Sequence, residues 1–282
     1  MDTQVEKKIG SFSDIGTTEK LITYLESSSR RDNVKFLHHY TTLDVVVKAI
    51  RNKSWHICSA ENMNDLLEFN SGDLLRWRNI LFSSFMGESD ESIAMWSMYG
   101  QPWRRGVKIS IPTKLVHNWL KNTKCLNEIS VKDYSPTGNT IKIEKGALKM
   151  IAVSYSNFQD VESENAQVLS WSNQNNRKYR INSGNIGELT GYVKNKAWDY
   201  EKEHRMMLAQ DDVFERGSID IPDDVIEGLI LTHSPLFEGN FLDELSKAVE
   251  LEVNVKESLF FNKLNIRTNC ERCAFGYKLK TT

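Results

Sequence analysis

A run of alternating charged residues at positions 198–208 limits the folds open to this chain more than any other stretch. It reads Trp-Asp-Tyr-Glu-Lys-Glu-His-Arg-Met-Met-Leu and ends in apolar residues. In a β-strand successive side chains point to opposite faces, so Glu201, Glu203 and Arg205 would share one face. Two carboxylates and a guanidinium are costly to bury unless they pair or meet a ligand. The run therefore predicts either a charged site on a late strand or a solvated edge strand with ion pairs.

Composition excludes several classes of protein. Of 282 residues, 40% are hydrophobic and 26% are charged, which is typical of a globular domain. The net charge of −2 excludes a generally basic nucleic-acid binder but leaves room for a local basic groove. No apolar run is long enough to span a membrane, so no membrane association is expected. Four cysteines make no disulfide framework, which favours a cytoplasmic setting, and the pair Cys270 and Cys273 lacks the second pair that a zinc site needs.

Short segments of strand-like and helix-like character alternate along the chain and predict an α+β fold. Strands are expected at residues 35–41, 54–59, 79–86, 105–111, 142–144, 149–155, 198–208, 225–232 and 251–261. Helices are expected at residues 17–25, 43–51, 91–99, 113–121, 188–196 and 241–249, and residues 156–186 are a candidate insertion. Neither a Gly-x-Gly-x-x-Gly turn nor a Gly-Lys-Ser/Thr loop is present, so dinucleotide-binding and P-loop folds are not supported.

Three further groups of residues could carry chemistry. On the first strand His39 and Thr41 would share one face, with His38 and Tyr40 on the other. Asn64-Asp65-x-x-Glu68 fits an Asx-turn that caps a helix. The buried strand at residues 79–86 carries two serines between aromatic residues, Ser83 and Ser84, and the following helix carries Trp96 and Tyr99. Serines on a core strand need partners or face a cleft.

Other reaction classes find less support in these residues. A serine hydrolase lacks a Gly-x-Ser-x-Gly elbow, and a cysteine nucleophile would need a histidine that only the fold could bring near. A metal-dependent nuclease could use four carboxylates to hold Mg²⁺, namely Asp65, Glu68, Glu201 and Glu203. A binding module without catalysis would use the same charged residues as structural pairs.

Taken together, these motifs resemble a widespread bacterial family that is itself similar to divergent ADP-ribosyltransferases. The motifs are His39-Tyr40-Thr41, Asn64-Asp65-x-x-Glu68, Phe82-Ser83, Trp96-x-x-Tyr99, Gly106-Val-x-Ile and Trp198-x-x-Glu201-x-Glu203-x-Arg205. The resemblance implies an ADP-ribosyltransferase-like split β-sheet with flanking helices, which clasps NAD as substrate. It further implies a helical extension at residues 1–34, the catalytic domain at 35–262 and a tail at 263–282. The departure is that no Ser-Thr-Ser is present.

The resemblance also assigns expected roles. Glu203 would stabilise the oxocarbenium-like ribose, and Glu201 would orient or deprotonate the acceptor. Arg205 would hold Glu203 ionised or meet the pyrophosphate. The remaining expected NAD contacts are His39, Tyr40, Thr41, Ser83, Ser84 and Tyr99, of which Tyr40 or Tyr99 would stack on nicotinamide.

Domains of this kind often act as toxins in toxin–antitoxin or antiphage systems, so the resemblance implies such a role and a possible antitoxin protein partner. The motifs do not identify the acceptor of the ADP-ribose. Two basic and aromatic segments favour RNA or DNA over protein, because guanidinium groups bind phosphates and indoles stack on bases. The residues expected to bind this acceptor are Arg76, Arg78, Trp103, Arg104 and Arg105, with Trp77 between the first two.

Overall fold

The computed structural model describes residues 22–23, 34–59, 79–87, 91–101, 103–157, 167–172, 178–183, 191–211, 213–249, 253–261 and 263. Within these ranges the chain forms an eleven-stranded sheet, a four-stranded sheet and several short helices. Almost all of the described strand pairs are antiparallel, and the parallel ones join residues 230–232 to 254–256 and residues 154–156 to 193–195. The α+β prediction is confirmed. No helix in the described part of the chain is long and apolar enough to cross a membrane.

The strands, in chain order, are β1 Phe36–Thr42, β2 Ser54–Ser59, β3 Ile80–Met86, β4 Gly106–Pro112, β5 Cys125–Ile129, β6 Pro136–Lys142, β7 Leu148–Ala152, β8 Ser154–Asn157, β9 Gln167–Ser172, β10 Lys178–Ser183, β11 Val193–Asn195, β12 Glu203–Ala209, β13 Arg216–Asp220, β14 Ile230–His233 and β15 Asn254–Lys256. The α-helices are α1 Leu43–Arg51, α2 Ile93–Tyr99, α3 Thr113–Asn122, α4 Asp223–Glu227 and α5 Phe241–Ala248. Two 3₁₀ helices cover Trp103–Arg105 and Lys196–Glu201.

The main core lies on one face of the large sheet, where the amphipathic helices α1, α3 and α5 pack. Strand β12 shows why the sequence folds in this way. Met206 and Leu208 alternate into this core, while Glu203 and Arg205 take the opposite face. Helix α2 covers that second face and packs Trp96 against Tyr40.

The large sheet branches at β3. Along one edge β3 pairs with β12 from Ile80 to Met86. Along its other edge it pairs with two strands in succession, β2 at Leu81 and Phe82 and β1 at Met86. Residues 83–85 lie between these two pairings. The branch brings residues from β1, β2, β3 and β12 to one point.

Several sequence predictions are corrected. Residues 198–201 belong to a 3₁₀ helix, so Glu201 is not on the strand that carries Glu203 and Arg205. Residues 193–195 form β11 and not a helix. The strand predicted at 225–232 begins only at residue 230, as β14, because residues 225–227 belong to α4. Of the predicted strand at 142–144 only residue 142 is in a strand, as the last residue of β6, and the partner of β6, β5, was not predicted. The predicted insertion at 156–186 contains β9 and β10.

Candidate catalytic site

A cavity of about 480 Å³ opens at the branch of the sheet. Its lining residues are His38, His39, Tyr40, His56, Cys58, Phe82, Ser83, Ser84, Phe85, Met95, Tyr99, Lys194, Glu201 and Glu203. This volume falls within the range of roughly 300–1,000 Å³ that is usual for small-molecule sites. Most of the residues expected from the sequence to be catalytic or to contact NAD therefore meet at one place.

Glu203 is the most tightly held acidic residue of the cavity. Its side chain is 2% exposed. Arg205 donates to both carboxylate oxygens, from Nε at 2.7 Å and from Nη2 at 2.9 Å. Ser84 donates its hydroxyl at 2.5 Å, and Lys194 lies 3.3 Å from Oε2. Each oxygen thus faces two donors, which fixes both the position and the charge of the group.

The charge on Glu203 results from a competition. Burial raises the pKa of its carboxyl, but the charges of Arg205 and Lys194 and the hydrogen bonds from Arg205 and Ser84 lower it by more. The net pKa lies well below its ordinary value of 4.5. Glu203 is therefore a fixed anion and not a proton donor or acceptor near neutral pH.

Glu201 comes to the same cavity from a different element. Tyr99 of α2 donates to its Oε1 at 2.5 Å, and Lys194 donates to its Oε2 at 2.5 Å. Lys202 follows in the left-handed conformation, with φ 43° and ψ 50°, and this turn brings Glu201 beside the first residue of β12. From the described residues Glu201 accepts these two hydrogen bonds, and a carboxylate can take roughly four, so it keeps capacity for a ligand.

Lys194 links the two carboxylates and was missed by the sequence analysis. Its side chain is 4% exposed, and its ammonium group lies 4.7 Å from the centre of the Trp198 ring and bridges Glu201 and Glu203. Burial lowers the pKa of Lys194, but the two carboxylates more than offset this and raise it overall. A single lysine in a segment predicted as a helix gives no sequence signal of this role.

Arg205 is completely buried and also donates from Nη1 to the Gly191 carbonyl oxygen at 2.9 Å. It lies under Glu203 and is not among the residues that line the cavity. Of the two roles expected for Arg205, these contacts favour holding Glu203 ionised over contact with a pyrophosphate.

The two histidines of β1 approach the cavity from opposite faces of the strand. His39 packs its ring on Trp55 and Phe85, and its Nδ1 donates to the Ser84 carbonyl oxygen at 2.9 Å. Burial lowers the pKa of His39 more than that hydrogen bond raises it, which favours the neutral ring. Because Nδ1 is the donor, Nε2 of a neutral His39 is an acceptor. His38 shares the face of Glu203, since both pair in register with Met86.

The other expected NAD contacts differ in their access to the cavity. Ser83 lines it but also accepts a hydrogen bond from Trp55 Nε1 at 2.9 Å. Tyr40 is 4% exposed, packs edge-on against Trp96 and accepts from the Ser92 N–H, so its ring is part of the core. Tyr99 is less buried and is the better-placed aromatic ring. Thr41 is buried and is not among the lining residues.

The expected nucleic-acid contacts are only partly described. Arg104 pairs with Glu238 on the surface at 3.0 Å. Arg105 binds Glu244 of α5 and, at 3.3 Å, Asp44 of α1. Neither arginine lines the cavity at Glu203. Arg76, Trp77, Arg78 and the Asn64-Asp65-x-x-Glu68 motif lie outside the described residues, as do Cys270 and Cys273, and nothing is described of the Trp103 side chain.

The chemistry of the cavity argues against two rival mechanisms. Among the described residues no group of three histidine, cysteine, aspartate or glutamate side chains could hold a metal ion. The oxygens of Glu201 and Glu203 bind Lys194 and Arg205, which a metal would have to displace. Cys58 lines the cavity, but burial raises the pKa of its thiol, which disfavours the thiolate that a cysteine nucleophile needs.

Comparison with known proteins gives one family match. Searches among curated proteins and among solved structures found nothing that matches. The model of a family described as "Protein of unknown function (DUF2971)" matches residues 95–206. This segment begins in α2 and ends within β12, so it includes Tyr99, Lys194, Glu201, Glu203 and Arg205.

Proposed function

We propose that this chain is an ADP-ribosyltransferase that transfers ADP-ribose from NAD to a macromolecular acceptor. The observation that carries the proposal is the buried Glu203 carboxylate, held ionised at the wall of a cavity by Arg205 and Ser84, with a second carboxylate beside it. Cleavage of the nicotinamide–ribose bond develops positive charge at C1′ of the ribose. A prepositioned carboxylate stabilises such charge best where water is excluded.

The contacts of the two glutamates favour a division of labour. The longest contact of Glu203 is the one with Lys194, and a ribose hydroxyl could replace it while Lys194 keeps its 2.5 Å bond to Glu201. Glu201 has unused acceptor capacity and would take the proton of the acceptor nucleophile. In this scheme the C1′–N bond breaks, nicotinamide leaves with the bonding electrons, and the nucleophile bonds to C1′.

The surroundings of the glutamates fit NAD in three respects. Strands β1 and β2 separate along β3 at the cavity, which supports an ADP-ribosyltransferase-like split sheet. Tyr99 offers a ring at the cavity wall for the nicotinamide. His39 presents an acceptor for an amide or a ribose hydroxyl.

For the acceptor we propose nucleic acid ahead of protein. Arg104 supports this choice, because its guanidinium is 66% exposed and its partner Glu238 is equally accessible. Exchange of such a surface pair for a phosphate costs little. A toxin or antiphage effector in the bacterial cytoplasm would meet both NAD and nucleic acid there, and an antitoxin protein would hold it in check.

The test is incubation of the purified chain and cell extract with NAD labelled in its ADP-ribose part. We expect label on macromolecules with the wild type and none with Glu203→Gln. Glu227→Gln is the matched control, since Glu227 is an exposed glutamate on α4 that does not line the cavity. Arms treated with nuclease or protease identify the acceptor, and an arm with EDTA tests for metal dependence.

Each rival makes a different prediction in that experiment. Label confined to protein, and unaffected by nuclease, would replace the nucleic-acid acceptor with a protein one. Degradation of nucleic acid without NAD, abolished by EDTA, would favour the metal-dependent nuclease. If neither labelling from NAD nor cleavage of nucleic acid occurred, the result would favour the third rival, a binding module that catalyses no reaction.

A further inference from the structure

A second cavity, of about 610 Å³, lies on the same sheet face as Glu203. Its floor is formed by two rows of paired residues on neighbouring strands, β1, β4, β14 and β15. One row is His38, Ser110 and Ile230, and the other is Lys108, Thr232 and Lys256. The full lining is Val34, Lys35, Phe36, His38, Gly87, Glu91, Lys108, Ser110, Ile230, Thr232, Lys256, Glu257 and Leu259. The function proposed for the first cavity gives no role to the second cavity.

The charges around the second cavity favour an anion. Lys35, Lys108 and Lys256 line it, and Lys108 is buried in its floor. The nearest carboxylate, Glu91, lies 3.7 Å from Lys108 Nζ. Glu91 also accepts closer hydrogen bonds from Trp96 Nε1 at 3.1 Å, from Ser258 Oγ at 2.6 Å and from the Leu259 N–H at 2.9 Å. Three ammonium groups thus line the cavity with two carboxylates, Glu91 and Glu257, and Glu91 already accepts hydrogen bonds from three other groups.

His38 provides a second, independent indication of a ligand. The residue is 5% exposed, its Nδ1 is hydrogen-bonded to Ser110 Oγ at 2.8 Å, and its buried Nε2 has no hydrogen-bond partner among the described residues. An unsatisfied buried polar atom destabilises the fold and is rare in native proteins. If the Ser110 hydroxyl donates to Nδ1, Nε2 carries the proton and can donate to an oxyanion in the cavity.

We infer that this second cavity binds a small organic phosphate of mononucleotide size. Its phosphate would lie among Lys35, Lys108 and Lys256 and accept a hydrogen bond from His38 Nε2. The ring of Phe36 and the side chains of Ile230 and Leu259 would contact the rest of the ligand. The inference does not depend on the activity proposed for Glu203.

Calorimetric titration of the full chain with adenosine 5′-phosphate tests this site. Lys35 and Lys256 are both exposed, so their joint replacement, Lys35→Ala with Lys256→Ala, should leave the fold intact. We expect the double variant to bind about tenfold more weakly, in line with loss of two partly solvated charge contacts. Lys114→Ala, an exposed lysine on α3, is the matched control and should bind like the wild type. Adenosine, which lacks the phosphate, should bind far more weakly.

Two observations locate the bound phosphate. The ¹⁵N resonances of the His38 ring should shift on titration in the wild type and shift less in the double variant. Ser84→Ala alters only the first cavity and should leave the affinity unchanged. Absence of saturable binding, or binding that Ser84→Ala weakens and the lysine variant does not, would overturn the inference. Loss of NAD-dependent labelling in Glu203→Gln with phosphate binding retained would show that the two proposals stand separately.

Discussion

Four buried charges share the candidate catalytic site, and their balance decides which substitutions it tolerates. Glu201 and Glu203 carry two negative charges, and Lys194 and Arg205 carry two positive ones. Burial makes any one of these charges expensive without its partner, by about 3–5 kcal/mol when one partner of a pair is removed. A substitution at Glu203 therefore tests stability as well as chemistry.

Ser84→Ala separates these two effects. The change keeps the Glu203 charge and its pairing with Arg205 but removes the hydroxyl that fixes Oε1. We expect the free energy of unfolding to fall by only about 1 kcal/mol, whereas Glu203→Gln lowers it by several, because Arg205 would be left buried without its counter-charge. NAD-dependent labelling should fall at least tenfold in Ser84→Ala. Urea unfolding and labelling rates measure the two quantities, and a Ser84→Ala protein with full activity would contradict an orienting role for Ser84.

The pH dependence of stability should show the buried neutral His38. Burial, and then the nearby Lys108 charge, lower the pKa of His38 from 6.5 to about 4, against an opposing effect of Glu91. Between these values the unfolded chain binds a proton that the folded chain does not, so stability falls as pH falls through this window. Below pH 4.5 protonation of Glu203 in the unfolded chain adds a further loss.

His38→Gln tests this interpretation, because glutamine can keep a hydrogen bond to Ser110 without a titrating ring. Its free energy of unfolding should fall less steeply between pH 6.5 and pH 4.5, with a total difference of at most about 3 kcal/mol by the acid end. His39 and His56 also have lowered pKa values, since burial disfavours their charged forms, so some slope remains. Urea titrations across the window give the slopes, and identical slopes in the two proteins would show that His38 titrates normally.

At the scale of the element, one residue joins the 3₁₀ helix to β12. Lys202 adopts φ 43°, a left-handed conformation that costs a non-glycine residue about 1–2 kcal/mol. Its carbonyl oxygen accepts from the Gly87 N–H at 3.0 Å, which ties the turn to the end of β3. The turn thus sets the position of Glu201 relative to Glu203.

Substitution of Lys202 should reveal this backbone requirement. Lys202→Gly relieves the strain but adds freedom to the unfolded chain, so its stability should stay within about 1 kcal/mol of the wild type. Lys202→Val, with a β-branched side chain, should be destabilised by more than that and lose activity. Lys202→Ala controls for the surface pair with Asp199. Thermal unfolding ranks the three variants, and equal stability of Gly and Val would exclude a conformational role.

The apolar pattern of the sequence predicted those elements that are buried, and failed where an element is exposed. Strands β1 to β4 and helices α1 to α3 all carry buried apolar residues, and their existence was confirmed. Strand β6 is exposed along nearly all its length, so it carries no alternation. The Val225–Ile226 pair looked strand-like, but two adjacent buried residues also fit the single turn of α4.

The site was predictable only where its residues lie on regular strands. Glu203, Arg205 and Ser84 meet because β12 and β3 pair in register, and alternation predicted the shared face of the first two. The approach of Glu201 depends on the left-handed turn at Lys202, which no local pattern indicates. Lys194 reaches the site through a short strand in a segment that has no apolar period.

At the scale of the whole molecule, the two faces of the eleven-stranded sheet are covered by different parts of the chain. One face carries the main core and buries α1, α3 and α5. The other carries the second cavity and the cluster of Tyr40, Met86, Met95 and Trp96, whereas the first cavity, at the branch of the sheet, is lined from both faces. For the transferase proposed above, the surface that contacts a macromolecular acceptor is expected outside the core face, which α1, α3 and α5 cover, and the 3₁₀ helix at Trp103–Arg105 is the described basic segment to test first.

The last prediction concerns that segment, where the structure distinguishes two neighbouring arginines. Arg105 is 33% exposed and joins α5 to α1 through Glu244 and Asp44, so its reversal would disturb packing. Arg104 pairs with the exposed Glu238, and such a surface pair is worth about 0–1 kcal/mol. Arg104→Glu should therefore lower labelling of nucleic acid severalfold, without changing NAD affinity or stability.

Added salt should depress that labelling steeply in the wild type and less steeply in Arg104→Glu, because one fewer phosphate contact releases fewer counterions. Lys121→Glu, an equally exposed cation on α3, controls for net charge. Labelling rates at several salt concentrations and an NAD titration supply the measurements. If Arg104→Glu and Lys121→Glu lose labelling equally, the effect is one of overall charge, and the acceptor does not contact this segment.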